Sequence, residues 1–234
     1  MTYAYSATQG GMCDQIKEVC KDLHLEPWPY DEKREEGKRD GCSYLAGKII
    51  EACRELLSEP TRVMEYIQCL AQHRMDRGLF LGWTTPSGFP VLNRYHKRKE
   101  PETFNLITYG IRVRHDISVD FEEVIWKTKT INAAAANFVH SMDAAHLVKV
   151  INTAGTLLGG FTRDFITTHD CYYCLAPVAT RFNRIIRLEM GDMYQPFDAL
   201  ADLRNRNVDH DIFRFRPRGA LIPNQVTQSE SAFS

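Results

Sequence analysis

Between Asp164 and Leu175 the chain reads DFITTHDCYYCL, and this stretch limits the possible folds more than any other. Ile166, Thr167 and Thr168 precede the pair His169-Asp170, and Tyr172 and Tyr173 follow it. β-Branched and aromatic residues favour extended backbone. Two residues suffice for a tight reversal but are far too few for the crossover that parallel strands need. Segments 164–168 and 171–175 are therefore expected to pair as an antiparallel hairpin with His169-Asp170 at its bend. Strands hold such a carboxylate still while the bend stays open to a ligand. A turn aspartate that bonds its own backbone is the plain structural alternative.

Upstream, Ala133 to Ala136 lead into Asn137-Phe-Val-His-Ser-Met-Asp143. Ser141 is expected to cap a helix running through Ala144, Leu147, Val148 and Ile151, which puts His140 at its start. Gly155, Gly159 and Gly160 are expected to end it. Met12 to Leu23, 42–57, the stretch from Pro60 onward, 179–194 and 197–206 also read as helices. In 42–57 the apolar stripe is Leu45, Ile49, Ala52, Cys53 and Leu56. Residues 24–41 mix prolines with alternating charges and read as an exposed loop. Residues 81–95 read as strand, tight turn, strand, and 103–119 as a long hairpin or loop about Gly110. The tail from Pro217 reads as irregular. The sum is an α+β chain of helices with small antiparallel elements.

A chain of 234 residues makes one large domain or two smaller ones. Its hydrophobic fraction of 44% and charged fraction of 25% are those of a globular protein with a real core. No apolar run is long enough to span a membrane, and the first residues lack the basic and apolar regions of a signal peptide. Seven cysteines without such a signal fit reduced thiols in a cytoplasm. Cys171 and Cys174 make a lone CxxC with no second pair, and are read as strand or turn residues rather than a zinc site. The net charge is −1, so any affinity for nucleic acid must come from local patches. Arg94-Tyr95-His96-Lys97-Arg98-Lys99 is such a patch, read either as phosphate contacts or as a solvated loop. Arg214, Arg216 and Arg218 alternate with Phe213, Phe215 and Pro217, a pattern open to single-stranded nucleic acid or to a protein partner.

Four motifs occur in a telling order: Met1-Thr-Tyr-Ala-Tyr5, Trp83 to Val91 (WTTPSGFPV), Asn137 to Leu147 (NFVHSMDAAHL) and His169-Asp170. Together they resemble the single-subunit, phage- or mitochondrial-type DNA-directed RNA polymerases. Asp198 to Asp202 and the Ala232-Phe233 ending resemble that family's last helix and C-terminal foot. The resemblance covers essentially the whole chain. It implies part of a right-handed polymerase fold. Residues 1–138 would be a mostly helical fingers portion that includes the specificity-type hairpin near 103–119. Residues 139–234 would be a palm portion with the foot.

The implied activity is templated ribonucleotide transfer with Mg2+. Nucleotidyl transfer uses paired divalent ions to activate the attacking hydroxyl and steady the leaving group. Magnesium takes carboxylate oxygens and keeps several waters. The resemblance makes Asp170 the second metal-binding aspartate and puts His169 beside the primer end. Tyr5 would close the nucleotide-binding helix and sense the ribose, since a phenol both stacks and hydrogen-bonds. His140 would touch the nascent base pair or the incoming ribose. Asp143 and His146, on the turns after it, are ranked as structural. Arg94, Lys97, Arg98 and Lys99 would hold phosphates, and Asn105, Arg112 and Arg114 have the side chains for base edges.

Some positions depart from the family pattern. Ser6 stands where the family commonly has glycine. The run after Asp170 is Cys171-Tyr172-Tyr173-Cys174, where the family usually has a small residue, an aromatic, glycine and threonine. The first metal aspartate and the Arg and Lys that neutralise a triphosphate would lie upstream of Met1. One aspartate cannot both hold the ions and offset a triphosphate's charge. The chain alone is therefore expected to be inactive, and its partner to be a second polymerase subunit in a heterodimer, as in split phage enzymes. An experimental fragment is the other origin considered. DNA template and promoter, RNA product and ribonucleoside triphosphates complete the implied partners. No membrane is implied, and the expected location is the cytoplasm of a phage-infected bacterium. A non-catalytic DNA-binding or regulatory subunit, and a DNA polymerase fragment, are the rival functions.

Overall fold

The computed structural model describes residues 9–23, 35–98, 102–108, 111–117, 121–158, 165–168, 171–208, 219 and 222–229. For 35–40, 98, 102–108, 111–117 and 121–122 this means the backbone alone. The chain divides into two compact units, Met1–Cys69 and Leu70–Ser234.

In the first unit, helix α1 (Gln9–Asp22) packs against α2 (Glu35–Leu56). Met12 and Cys13 meet Cys42 and Ala46, flanked by Ile16, Ile50 and Cys53. The Gln9 amide nitrogen donates to the Ser43 carbonyl at 3.1 Å. Burial pushes the Cys42 thiol above its usual range, which makes it a small core residue.

Two expectations are corrected here. Helix α2 begins at Glu35, so 35–41 are not loop: the charged residues there are good helix formers on a chain already committed to helix by 42–53. The buried stripe is Cys42, Ala46, Ile50 and Cys53, while Leu45, Ile49 and Leu56 stay exposed. Both stripes have helical spacing. Small residues let the two helices approach closely, and this outweighs the size of the leucines. Helix α3 (Ser58–Asp76) starts just before Pro60 and tolerates it within its first turn, where no backbone partner is lost. The boundary between units falls within α3.

The second unit opens with strands β1 (Leu81–Thr84) and β2 (Pro90–Asn93), paired antiparallel from Leu81 opposite Asn93 to Thr84 opposite Pro90. Gly88 takes φ +88°, the left-handed region that only glycine enters freely, and its N–H donates to the Thr85 carbonyl at 2.8 Å. Next come β3 (His96–Arg98), β4 (Glu102–Thr108), β5 (Ile111–Ile117) and β6 (Phe121–Ile125). β4 pairs with β5, and β3 with β6, so the longer hairpin sits on a short stem. This agrees with the hairpin reading of 103–119.

Helix α4 (Lys127–Leu157) follows and has 31 residues. Ser141 does not cap it, and His140 lies in its middle rather than at its start. The run Ala133 to Ala136 has the highest helix propensity and carries the helix upstream. Ser141 satisfies its hydroxyl internally by donating to the Phe138 carbonyl at 2.7 Å, so it does not interrupt the helix. Gly155 likewise lies inside the last turn. Ala144, Leu147, Val148 and Ile151 lie in the helix as expected, and the face turned inward is Phe138, Met142, Ala145, His146, Val150 and Ala154.

Strands β7 (Ile166–Thr168) and β8 (Cys171–Tyr173) pair antiparallel, Thr168 opposite Cys171. A 3-10 turn, Ala176–Val178, leads into α5 (Ala179–Tyr194), which has the bounds its sequence suggested. Helix α6 (Ala199–Asn207) is capped by Asp198, whose carboxylate accepts from the Ala201 N–H at 3.0 Å. A 3-10 segment, Pro223–Gln228, packs on α5. Val150, Ala154 and Leu158 meet Phe182, Ile185 and Ile186, with Phe165, Tyr172 and Cys174 against them. Among the described residues, no helix is long and apolar enough to cross a membrane.

Candidate functional site

Helix α4 is the platform of the second unit, and each neighbouring element is fixed to it by polar contacts. Near its start, Asn137 donates to the Asn93 side-chain oxygen at 2.8 Å, and Asn93 donates to the Thr130 carbonyl at 2.7 Å. The Asn137 amide nitrogen and the Tyr95 hydroxyl lie 2.9 Å apart, and the Thr130 hydroxyl accepts from the Tyr95 N–H at 3.2 Å. Asn93 and Thr130 are fully buried. A buried polar group left without a partner costs about 1–3 kcal/mol, so such a network fixes one geometry. It anchors the end of β2 and the start of the β3–β6 stem.

At mid-helix the Trp83 indole N–H donates to the Ser141 hydroxyl at 2.7 Å, and its ring stands edge-on to Phe138 at 5.5 Å. Asn207 at the end of α6 mimics a strand neighbour for β1. It accepts from the Gly82 N–H at 3.1 Å and donates to the Gly82 carbonyl at 2.7 Å.

Towards its end, α4 receives the β7–β8 hairpin. His146 is 4% exposed. Its Nε2 lies 2.9 Å from the Ile186 carbonyl of α5, and its Nδ1 lies 3.3 Å from the Tyr172 hydroxyl of β8. Burial pushes the His146 pKa below its ordinary 6.5, against the upward pull of the Ile186 carbonyl, Asp143 and Glu189. The Tyr172 ring stands edge-on to Phe182 at 5.9 Å, and Phe165 stacks on Phe182 at 4.5 Å. Thr153 donates to Glu189 at 2.6 Å, a second tie between α4 and α5.

The residues singled out from sequence are distributed as follows. Tyr5, Lys99, His169 and Asp170 lie outside the described residues. His140 is exposed on α4, in the same turn as Asn137 and Ser141. Arg94 is exposed, with its guanidinium 5.6 Å from the centre of the Phe80 ring, and Lys97 is exposed on β3. Arg98 ends β3. Asn105 of β4 is in register with Arg114 of β5, and Ile107 with Arg112.

Sequence reasoning missed the Asn93–Tyr95–Thr130–Asn137 network. Its one visible sign was polar residues where β2 and α4 would otherwise carry apolar ones. It also missed Lys129, whose ammonium lies 5.1 Å from the Tyr95 ring centre and 5.2 Å from that of Trp126. An open groove of about 410 Å³ runs between α4 and β7, lined by Leu147, Val148, Ile151, Asn152, Phe165 and Thr167. None of the described candidates from sequence lines it. Among the described residues, no group of three His, Cys, Asp or Glu side chains could hold a metal ion.

The chain is 32% identical over 160 residues to T7 RNA polymerase of Escherichia phage T7, a match covering 65% of this chain and 18% of that protein. It is 24% identical over 187 residues to the human mitochondrial DNA-directed RNA polymerase, covering 80% of this chain and 14% of the relative. With the Nicotiana tabacum DNA-directed RNA polymerase 2A the identity is 25% over 196 residues, 83% of this chain and 54% of the relative. The chain thus spans under a fifth of the phage and human relatives. A family profile described as DNA-dependent RNA polymerase matches residues 1–218. By that match, the chain belongs to the phage-type DNA-dependent RNA polymerase family.

Proposed function

We propose that this chain supplies one part of the catalytic centre of a DNA-directed RNA polymerase, completed by a second polypeptide. The observation that carries the reading is the β7–β8 pairing. Thr168 stands opposite Cys171, so only His169 and Asp170 connect the strands, and the hairpin rests on the helix bearing the Asn137 to Asp143 motif. In this reading Asp170 is the second metal ligand, with His169 beside the primer end. Tyr5 and His140 face the incoming ribonucleotide and its base pair. Residues 1–138 act as fingers and 139–234 as palm and foot of a right-handed fold, with the division inside α4.

Carboxylate oxygen is the hard donor that Mg2+ takes, and the ion would supply activation of the attacking hydroxyl and charge neutralisation on the triphosphate. The described residues add no further metal-ligand cluster. In this reading the partner brings the first aspartate and the basic residues that clamp the triphosphate. The stem and hairpin of β3 to β6, with Arg94, Lys97 and Arg98 at its base, face the promoter, and Lys99, next in sequence, adds to that charge. Asn105, Arg112 and Arg114 read base edges there. Phosphate contacts of this kind make binding fall with salt. The work is done in the cytoplasm of a bacterial host.

The test is reconstitution of the chain with a co-purifying polypeptide that carries an upstream aspartate motif. Promoter-directed ribonucleotide incorporation is expected from the pair and from neither part alone. Asp170→Asn is expected to abolish it while the complex still assembles. Undiminished synthesis by that variant would turn the reading towards a non-catalytic subunit. A strong preference for deoxyribonucleotides would turn it towards a DNA polymerase.

A further inference from the structure

We infer that Tyr172 and His146 are a positioning pair that sets the depth of the β7–β8 hairpin against α4 and α5. The inference rests on the polymerase reading for the role of position 170, two residues before Tyr172.

The hydrogen-bond chemistry fixes the direction of each contact. A carbonyl oxygen only accepts, so the 2.9 Å contact of Nε2 with Ile186 requires the ring proton on Nε2. A neutral imidazole has one such proton, which leaves Nδ1 as an acceptor. The Tyr172 hydroxyl at 3.3 Å is then the donor. One buried ring thereby joins three elements: β8 through Nδ1, α5 through Nε2 and α4 through its own backbone.

The family pattern asks only for an aromatic residue at position 172. A ring alone could slide along Phe182, which it meets edge-on at 5.9 Å. The hydroxyl removes that freedom, because the bond to Nδ1 forms at one depth only. Fixed depth matters at a magnesium site, since Mg2+ demands nearly ideal octahedral geometry at short distances. In this chain Tyr173 also replaces the family's glycine beside it. A bulkier side chain there gives the hairpin more reason to carry a second anchor.

Two variants test the pair. Tyr172→Phe keeps the ring and removes the donor. His146→Phe keeps a ring of similar size and removes both nitrogens, the acceptor for Tyr172 among them. In the full 234-residue chain, the amides of β7 and β8 should exchange faster in both variants, by about fivefold, the worth of one hydrogen bond. The imidazole ¹⁵N signals of the wild type should show a neutral ring protonated at Nε2, with the Nδ1 signal displaced in Tyr172→Phe. In the reconstituted complex, the Mg2+ concentration for half-maximal synthesis should rise about fivefold in either variant, with the ribonucleotide KM unchanged. Combining the two should add nothing further, because both remove the same bond.

An unchanged Mg2+ requirement, or a parallel rise in ribonucleotide KM, would overturn the positioning role. Unchanged hairpin exchange would overturn the pair itself. A wild-type complex that makes no RNA would instead defeat the polymerase reading, and the exchange and ¹⁵N measurements would still decide whether the pair anchors the hairpin.

Discussion

The two units bury their helices by different means. In the first, α1 and α2 meet through a thin seam of Met12, Cys13, Cys42 and Ala46, with no aromatic ring among the described residues of the seam. Leu56 on the same helix is 84% exposed. In the second, α4 and α5 enclose Phe182, which is 1% exposed, and polar contacts tie the hairpins to that core. The first seam depends on close approach of small side chains. The second depends on large rings, of which Trp83 and Tyr172 are held by hydrogen bonds at their edges. Only the second arrangement specifies where a neighbouring strand must lie, and the second unit is where the hairpins are.

The sharpest test of this contrast is Phe182→Ala. It removes the ring stacked on Phe165 and should cost about 3–5 kcal/mol of stability in the second unit. Hydrogen exchange resolved by element should show α4, α5 and β8 losing protection while α1 and α2 keep theirs. Loss of protection in α1 and α2 to the same degree would mean that the two units unfold as one.

Gly191→Ala comes next. A methyl group there would stand 2.5 Å from the Asn224 side-chain oxygen and 3.3 Å from its Cα, so the Asn224 side chain must turn away and its backbone must give slightly. Overpacking of this sort costs about 1–3 kcal/mol. Limited proteolysis should cut between 219 and 229 sooner than in the wild type. An unaltered cleavage pattern would mean that the segment is not held by this contact.

Acid should act more gently, and on the second unit first. The His146 pKa is lowered in the fold, so the unfolded chain takes up the proton at higher pH than the folded one. Stability is therefore full above the ordinary value of 6.5 and declines as pH falls from there to the folded-state pKa. Denaturant titrations across that window should show the decline in the wild type and a flatter profile in His146→Gln. Equal slopes would assign the acid sensitivity elsewhere.

Smallest of all is Leu56→Gln on the exposed face of α2. It should change stability by less than about 0.5 kcal/mol, as surface substitutions usually do. A loss of several times that amount would show that the apolar stripe legible in the sequence is buried after all.

The hairpins were legible because two local signals agreed, β-prone runs and a short connection, at 81–95, 103–119 and 164–175. Helix α5 was legible because Phe182, Ile185, Ile186 and Met190 repeat at helical spacing between clear breaks. Helix α4 was only half legible. Ser141 has the side chain of a helix cap, and nothing local says that its hydroxyl will bond to Phe138 and accept from Trp83, 58 residues earlier in the chain. The buried stripe of α2 could not be chosen from sequence, because two stripes fit the period and only the partner helix decides between them.

At the candidate site, the ordered motifs gave the family. They did not reveal which side chains support the site. Asn93, Thr130 and Tyr172 act across sequence distances that no periodicity reports. His146 was ranked as structural from sequence, and its partners at Ile186 and Tyr172 had no sign there.

Because α4 is one unbroken rod of 31 residues, the β3–β6 stem and the β7–β8 hairpin share a common axle. At 3.6 residues per turn, inserting a single residue between Asn137 and His146 would rotate one mounting about 100° relative to the other. Point substitutions along that span merely loosen a fitting, whereas a change in its length would swing the stem and the hairpin out of alignment. Lineages carrying this chain are thus expected to vary the letters of that segment far more freely than their number.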